Sequence, residues 1–178
     1  MGEREIAVRE ARDSDREAVR DVLLSAYGQY EAVLPAERWR QYKDDIVASV
    51  TKEGPKVRLV AEWDGRVAGT ALLFDSSLSA YGTDIGIDSP IIRLLAVKPE
   101  ARGRGIATAL LREGARLAAA WGAETLHLHT SDMMASAVRL YERLGFERAY
   151  DKEFYNGEHL VKSYRLHLKQ ADLLQTHG

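Results

Sequence analysis

Cysteine is absent from the 178 residues, which excludes disulfides, thiolate metal sites and a cysteine nucleophile. Charge of one sign is not in surplus either. Lys and Arg number 25 against 27 Asp and Glu, a formal net charge of −2, so there is no electrostatic case for nucleic acid or an anionic membrane as a partner. No apolar run approaches the roughly 20 residues a membrane-spanning helix needs. The opening M-G-E-R-E-I is charged at once and lacks an apolar signal segment, which makes the cytoplasm the expected location. Internal repeats, linkers and low-complexity segments are missing as well. What is present, 46% hydrophobic and 29% charged residues, reads as one soluble globular domain. Its length suffices to bury about 70% of the unfolded surface. We expect residues 1–169 to form that domain and 170–178 to be a frayed tail.

The most informative stretch is I-I-R-L-L-A-V-K-P-E-A-R-G-R-G-I-A-T-A-L-L, Ile91 to Leu111. Ile91 to Val97 is an apolar, β-branched run broken only by Arg93, and Lys98-Pro99 stops it because proline cannot donate to a strand ladder. A loop carrying Arg102, Gly103, Arg104 and Gly105 follows. From Ile106 the spacing is helical, through Leu110, Leu117 and Trp121, with Ala109, Ala118 and Ala119 keeping the packed face slim. A strand, a glycine loop and a helix in this order present backbone N–H groups at a helix N-terminus, where no internal partner exists and the macrodipole is positive. Glycines let an anion approach that backbone, and the two arginines add charge. The expected ligand is a phosphate ester, a diphosphate above all. A Walker-type loop would need Gly-Lys followed by Ser or Thr, which is absent. A dinucleotide fingerprint would need a third glycine where Thr108 stands and an acid closing the next strand, whereas Glu124 opens it.

Arg102-Gly103-Arg104-Gly105-Ile106-Ala107 resembles the Arg/Gln-x-x-Gly-x-Gly/Ala pattern of the GNAT superfamily of acyl-CoA-dependent N-acetyltransferases. Leu95-Ala96-Val97-Lys98-Pro99 is similar to the strand leading into that loop, and Ala137-Val138-Arg139-Leu140-Tyr141-Glu142-Arg143-Leu144-Gly145-Phe146 to a second block of the family. The resemblance implies an α/β fold with a splayed, mostly antiparallel mixed sheet of about six or seven strands flanked by four helices. It implies acetyl-CoA as co-substrate, with Arg102 to Thr108 on the diphosphate and the backbone of Leu95, Ala96 and Val97 on the pantetheine arm by β-strand addition. One of those N–H groups would hold the thioester oxygen. Tyr141, which shares a helical face with Ala137, Leu140 and Leu144, takes the family's role of protonating the departing CoA thiolate. The position seven residues earlier, often asparagine in the family, is Met134, leaving Ser131 or Ser136 to replace its contact. Ile91 stands where some relatives carry a glutamate.

Read in order, the rest supplies the remaining elements. Arg4 to Arg9 alternates as a first strand. Asp13-Ser14-Asp15 offers N-caps for a helix over Arg16 to Tyr27, which Gly28 breaks. Gln29 to Leu34 reads as a connection, and a helix runs from Ala36 to Val50. Val57 to Trp63 and Arg66 to Phe74 form a hairpin on Asp64-Gly65. Asp75 to Pro90, with Asp75, Asp84 and Asp88 and no basic residue, is the least regular part, and a loop so long is usually functional or mobile. Beyond the central helix, which Gly122 caps, come a strand at Glu124 to Thr130 and a helix from Met134 to Leu144 ended by Gly145. Strands at Phe146 to Tyr155 and Leu160 to Leu168 close the chain around Asn156-Gly157.

For the acceptor, the candidate base is His129, which shares a strand face with His127 opposite Leu126 and Leu128 and lies nearer the C-terminal end. These two histidines suggest no third ligand, so no metal is expected. Tyr27, Tyr30, Trp39 and Tyr42 cluster where the resemblance puts the wall of the acceptor pocket, and the aspartates of the 75–90 loop suit a small cationic amine. Direct transfer follows from the missing cysteine. A protein lysine or N-terminus is the alternative acceptor, and a CoA-binding sensor without turnover is the alternative function. The expected partner is a small-molecule amine, with neither nucleic acid nor membrane, and a homodimer is left open as the assembly.

Overall fold

β-Branched and alternating apolar residues open the chain as β1 (Ile6–Glu10), which pairs antiparallel with β2 (Val57–Trp63), Val8 opposite Ala61. The computed structural model describes residues 5–130, 135–156 and 159–174. β2 turns into β3 (Arg66–Phe74) through Asp64-Gly65, both at positive φ (56° and 74°), the conformation a two-residue hairpin demands. The further strands are β4 (Ile91–Val97), β5 (Thr125–Thr130), β6 (Glu147–Arg148), β7 (Phe154–Asn156) and β8 (His159–His167). Their hydrogen-bonded order is β1-β2-β3-β4-β5-β8-β6, with β7 on β8. β4 on β5 is parallel, and β1 on β2 and β5, β6 and β7 on β8 are antiparallel. Five α-helices accompany the eight strands among the described residues: α1 (Arg16–Tyr27), α2 (Ala36–Ser49), α3 (Ser77–Tyr81), α4 (Ile106–Ala120) and α5 (Ala135–Arg143). Among the described residues no helix is long and apolar enough to cross a membrane.

The described residues pack as two compact units, one running up to Leu72 and taking in Leu94–Leu110, the other formed by Leu73–Arg93 and the chain from Leu111 onward. In the first, α1 buries Val19, Val22, Leu23 and Ala26. Asp15 does not cap α1 as its sequence position suggests. Its carboxylate accepts the Arg12 N–H at 2.7 Å and two bonds from the Arg9 guanidinium (2.7 and 3.0 Å), and Arg9 also binds Glu62 across the β1–β2 pair. The connection expected at Gln29 to Leu34 is a 3-10 turn over Gly28–Ala32, and Gly28 stays right-handed, so α1 tightens there instead of breaking.

In the second unit, α4 turns Leu111, Gly114, Ala115 and Ala118 inward, while Ala119 is exposed and Leu117 half-buried. Gly114 fixes that rotation, since a Cβ there would lie 2.6 Å from Cδ1 of Ile92 in β4. Gly122, at φ 84°, ends the helix, and the Ala123 N–H bonds back to the Ala118 carbonyl. The single strand expected from Phe146 to Tyr155 is split. Glu153, ion-paired with Arg148, accepts the Ser163 N–H at 3.2 Å, and a 3-10 turn over Tyr150–Lys152 separates β6 from β7. Past β8, residues up to Leu174 form short turns with Ala171 and Leu173 buried, and Arg112 Nε donates to the Leu173 carbonyl at 3.2 Å. That portion of the expected tail is therefore packed.

Candidate active site

The glycine loop belongs to the first unit. Pro99–Ala101 makes a 3-10 turn, Arg102 is extended, and α4 begins at Ile106 with the Ala109 N–H on the Gly105 carbonyl at 3.0 Å. Gly103 and Gly105 have φ of 79° and 85°, and a Cβ built on either would find no atom within 4 Å. Both positions therefore need glycine for their backbone shape, and both face open space where a side chain would stand. The N–H groups of the first turn lead into that space without intrahelical partners. Arg102 reaches back towards the Ala26 carbonyl and Gln29 Oε1, each at 3.5 Å, and the Arg104 guanidinium sits 5.0 Å from the centre of the Trp63 ring. N–H donors at a helix start flanked by two exposed arginines fit a diphosphate. Ile106 itself is buried, and beneath it lies Gly69 of β3, where a Cβ would come within 2.7 Å of Ile106 Cγ2, 3.1 Å of Leu110 Cδ1 and 3.2 Å of the Ala96 carbonyl.

The strand leading into the loop is not regular. Leu94 has φ +52°, a left-handed conformation that a bulky residue adopts only under constraint, and it re-aims the backbone of the next three residues. Ala96 is buried and Leu95 and Val97 are half-buried. The Leu95 carbonyl accepts the Tyr27 hydroxyl at 3.1 Å, so of the backbone groups expected to receive an extended ligand this one already has a partner. Tyr27 also stacks with Tyr30 (6.1 Å) and, edge-on, with Tyr42 (6.0 Å), and Trp39 meets Tyr42 at 6.2 Å. The predicted aromatic cluster forms. Tyr27 and Tyr30 are its buried base and Trp39 and Tyr42 its half-buried part.

His129 and Tyr141 belong to the second unit, on opposite sides of β8. His129 pairs in register with Ser163, and its Nε2 lies 3.2 Å from Ser163 Oγ. Tyr141, buried on α5, packs its ring against Phe146 (5.9 Å) and Tyr164 (6.5 Å). Ser163 and Tyr164 are consecutive on β8 and point to opposite faces. His129 is thus turned away from Tyr141 and towards the loop after β3. Its Nδ1 is 2.6 Å from the Tyr81 hydroxyl, and its ring meets Tyr81 and Phe154 edge-on, each at 5.4 Å. Burial, then the neighbouring His127 and Arg93, lowers its pKa to about 4. His127 is more deeply buried and also lowered to about 4, chiefly by burial. Thr125 Oγ1 lies 3.2 Å from its Nε2, and among the described residues its Nδ1 has no hydrogen-bond partner. Among the described residues no group of three or more His, Asp or Glu could hold a metal ion.

The 75–90 loop is more ordered than its sequence suggests. Ser76 caps α3, and Gly82, at φ 73°, ends it. Asp75 accepts the Ser79 hydroxyl at 2.7 Å, and Asp84 accepts the Ser77 hydroxyl and the Gly86 N–H. Buried Ser77 in turn takes the N–H groups of Ile85 and Ile87. Two of the three aspartates therefore hold the loop together, and all three remain exposed. Met134 and Ser131 lie outside the described residues.

These features can be compared with known proteins. A sequence model described as the acetyltransferase (GNAT) family matches residues 16–146. The chain belongs to the GNAT family. N-acetyltransferase 8B of Homo sapiens is 30% identical over a match covering 75% of this chain and 61% of that protein. Mycothiol acetyltransferase of Nocardia farcinica is 36% identical, again over 75% of this chain but only 37% of its own length. The chain thus spans less than two thirds of either curated relative. Among solved structures, a Salmonella typhimurium protein determined with its cofactor acetyl-CoA superposes with a TM-score of 0.61 at 17% identity, covering 93% of this chain and 95% of that one. The two chains share a fold.

Four residues of this region were not singled out as functional from sequence: Gly69, Leu94, Tyr81 and Arg93. Only Arg93 left a signal, as the one charge in an apolar strand. Gly69 and Leu94 matter through close approach and backbone twist, which no local pattern encodes.

Proposed function

We propose that this chain transfers an acetyl group from acetyl-CoA directly to the primary amine of a small molecule that arrives as an ammonium ion. The observation that carries the reading is the glycine cradle: two positive-φ glycines opening onto empty space at the N-terminus of α4, with Arg102 and Arg104 beside it. Family membership and the acetyl-CoA of the Salmonella protein agree with it. Acetyl-CoA supplies an activated acyl group, and this chain's residues bind, orient and move protons. Arg102 to Thr108 hold the diphosphate, and the backbone of Leu95 to Val97 receives the pantetheine arm. The ammonium first gives one proton to bulk water; the neutral amine nitrogen then bonds the acetyl carbonyl carbon, the carbon–sulfur bond breaks, and the Tyr141 hydroxyl gives its proton to the sulfur and is reprotonated from solvent. His129, neutral at pH 7 and a weak base, takes the remaining proton through the Tyr81 hydroxyl that bonds its Nδ1, once bonding to the acetyl carbon has made the nitrogen acidic.

A small-molecule acceptor is supported by the mycothiol acetyltransferase, whose name specifies a small molecule. The exposed carboxylates of Asp75, Asp84 and Asp88, in a loop without basic residues, favour an ammonium group and weaken in salt. Replacing all three with asparagine should raise the KM for the amine at low ionic strength and leave the KM for acetyl-CoA unchanged. An unchanged amine KM removes the loop from the acceptor's path, and activity on peptides alone overturns the small-molecule reading.

A further inference from the structure

Arg93 interrupts the apolar run of β4, and the transfer chemistry above gives it no task. Ile91 pairs with His127, so the two-residue period of a strand turns Arg93 to the face carrying His127 and His129. Its Nη1 donates to the Ala80 carbonyl at 2.7 Å, and its guanidinium lies 4.7 Å from the centre of the Tyr81 ring and 5.9 Å from that of Phe74. Among the described residues its polar partner is this carbonyl and no carboxylate. The nearby acids are engaged elsewhere: Glu153 with Arg148 and the Ser163 N–H, Asp75 and Asp84 with the serines of their own loop. Buried or half-buried arginines normally pair with an acid, and a guanidinium has five donors, of which Ala80 uses one.

The surroundings suit a ligand. Arg93, Tyr81, His129 and Phe154 are each half-buried, so solvent reaches the cluster. Tyr81, His129 and Phe154 meet edge-on at 5.4 to 5.8 Å and present apolar walls. His129 is neutral at pH 7, so among the described residues Arg93 is a positive charge without a carboxylate partner beside those walls.

We infer that the acceptor amine also carries a carboxylate, bound by Arg93, and an apolar body lying against Tyr81 and Phe154: an amino-carboxylic acid. The planar, two-oxygen carboxylate matches the free donors of a guanidinium better than a spherical anion does. This inference rests on the acetyl-transfer reading and specifies its substrate class.

The test compares L-phenylalanine and L-leucine, each with its amide and its decarboxylated amine, as acceptors for the wild type, Arg93→Gln and Arg93→Lys. The free amino acids should show the lowest KM with the wild type. Arg93→Gln should raise their KM by about 10- to 100-fold, the scale of a lost hydrogen bond to a charged group. The amides, the amines and acetyl-CoA should stay within a few-fold, and Arg93→Lys should recover part of the loss. A readout independent of turnover is binding of N-acetyl-L-phenylalanine in the presence of CoA, which should shift the His129 ring resonances in the wild type and not in Arg93→Gln. If no amine is acetylated but this shift persists, the transfer reading fails while the carboxylate site stands. Wild-type KM values no lower for the acids than for their amides overturn the site whether or not the variants fold. So does an Arg93→Gln loss shared equally by all acceptors and acetyl-CoA, which would mark Arg93 as a structural residue.

Discussion

At the scale of single residues, Tyr141 and Gly105 separate chemistry from architecture most cleanly. The Tyr141 ring is buried against Phe146 and Tyr164, so phenylalanine preserves the packing and removes only the hydroxyl. Tyr141→Phe should lower kcat by about 100-fold, the low end for general acid catalysis, with the KM for acetyl-CoA nearly constant, because the lost bond strengthens only as charge grows on sulfur. A kcat within a few-fold of wild type, with KM or stability collapsing instead, would make Tyr141 a packing residue. Gly105 works through its backbone. At φ 85° any L side chain is strained, and a Cβ would project into the space proposed for the diphosphate. Gly105→Val should abolish CoA binding in a calorimetric titration while circular dichroism still reports the folded sheet; near-normal affinity would remove the loop from the site.

At the scale of elements, the contact between β3 and α4 determines where the cradle sits. A Cβ on Gly69 would lie 2.7 Å from a methyl of Ile106, a side chain too buried to move aside. Gly69→Ala should cost about 1–3 kcal/mol in urea unfolding, the range for overpacking a filled core. It should also weaken CoA binding, since Ile106 carries the loop; an unchanged CoA affinity in a destabilised protein would uncouple the two. The same element scale shows what the sequence made legible. The hairpin at Asp64-Gly65, the stop at Lys98-Pro99 and the helix ends at Gly122 and Gly145 all rest on local backbone chemistry, and each is found where its residues indicate. α3 had a readable signal in Ser76 and Gly82, a capping serine and a left-handed glycine directly flanking it, but its five residues carry too little periodicity to stand out. The split of β6 from β7 and the loss of Asp15 as a cap could not be read, because each depends on how strands pair: Glu153 takes the Ser163 N–H of β8, and Arg9, which bonds Glu62 across the β1–β2 pair, takes Asp15. The candidate site divides the same way. Its glycine loop is local and was legible, whereas the turn of His129 towards Tyr81 depends on which face of β5 the loop after β3 covers.

At the scale of the whole molecule, acid should be destabilising in two stages. His127 and His129 are held to about 4, below the ordinary 6.5, chiefly by burial. The unfolded chain binds protons that the folded one refuses, so stability falls as pH drops from about 6.5 towards 4. Asp15 is held to about 2, below the usual 3.8, mainly by its hydrogen bonds from Arg9. Its contribution is intact above pH 4 and is lost as pH falls through 2. Thermal melts at pH 7, 5.5 and 4.5 should show a falling Tm that His127→Gln makes shallower; an equal slope in the variant would exclude His127 as the group responsible. Function at this scale comes down to whether bound acetyl-CoA is turned over. The most direct measurement follows free thiol released from acetyl-CoA across a panel of small primary amines, with calorimetric CoA binding to the same preparation. The expected result is CoA binding together with amine-dependent thiol release that Tyr141→Phe suppresses. CoA binding with no amine-dependent release from any member of the panel would contradict it and leave a CoA-binding module without turnover.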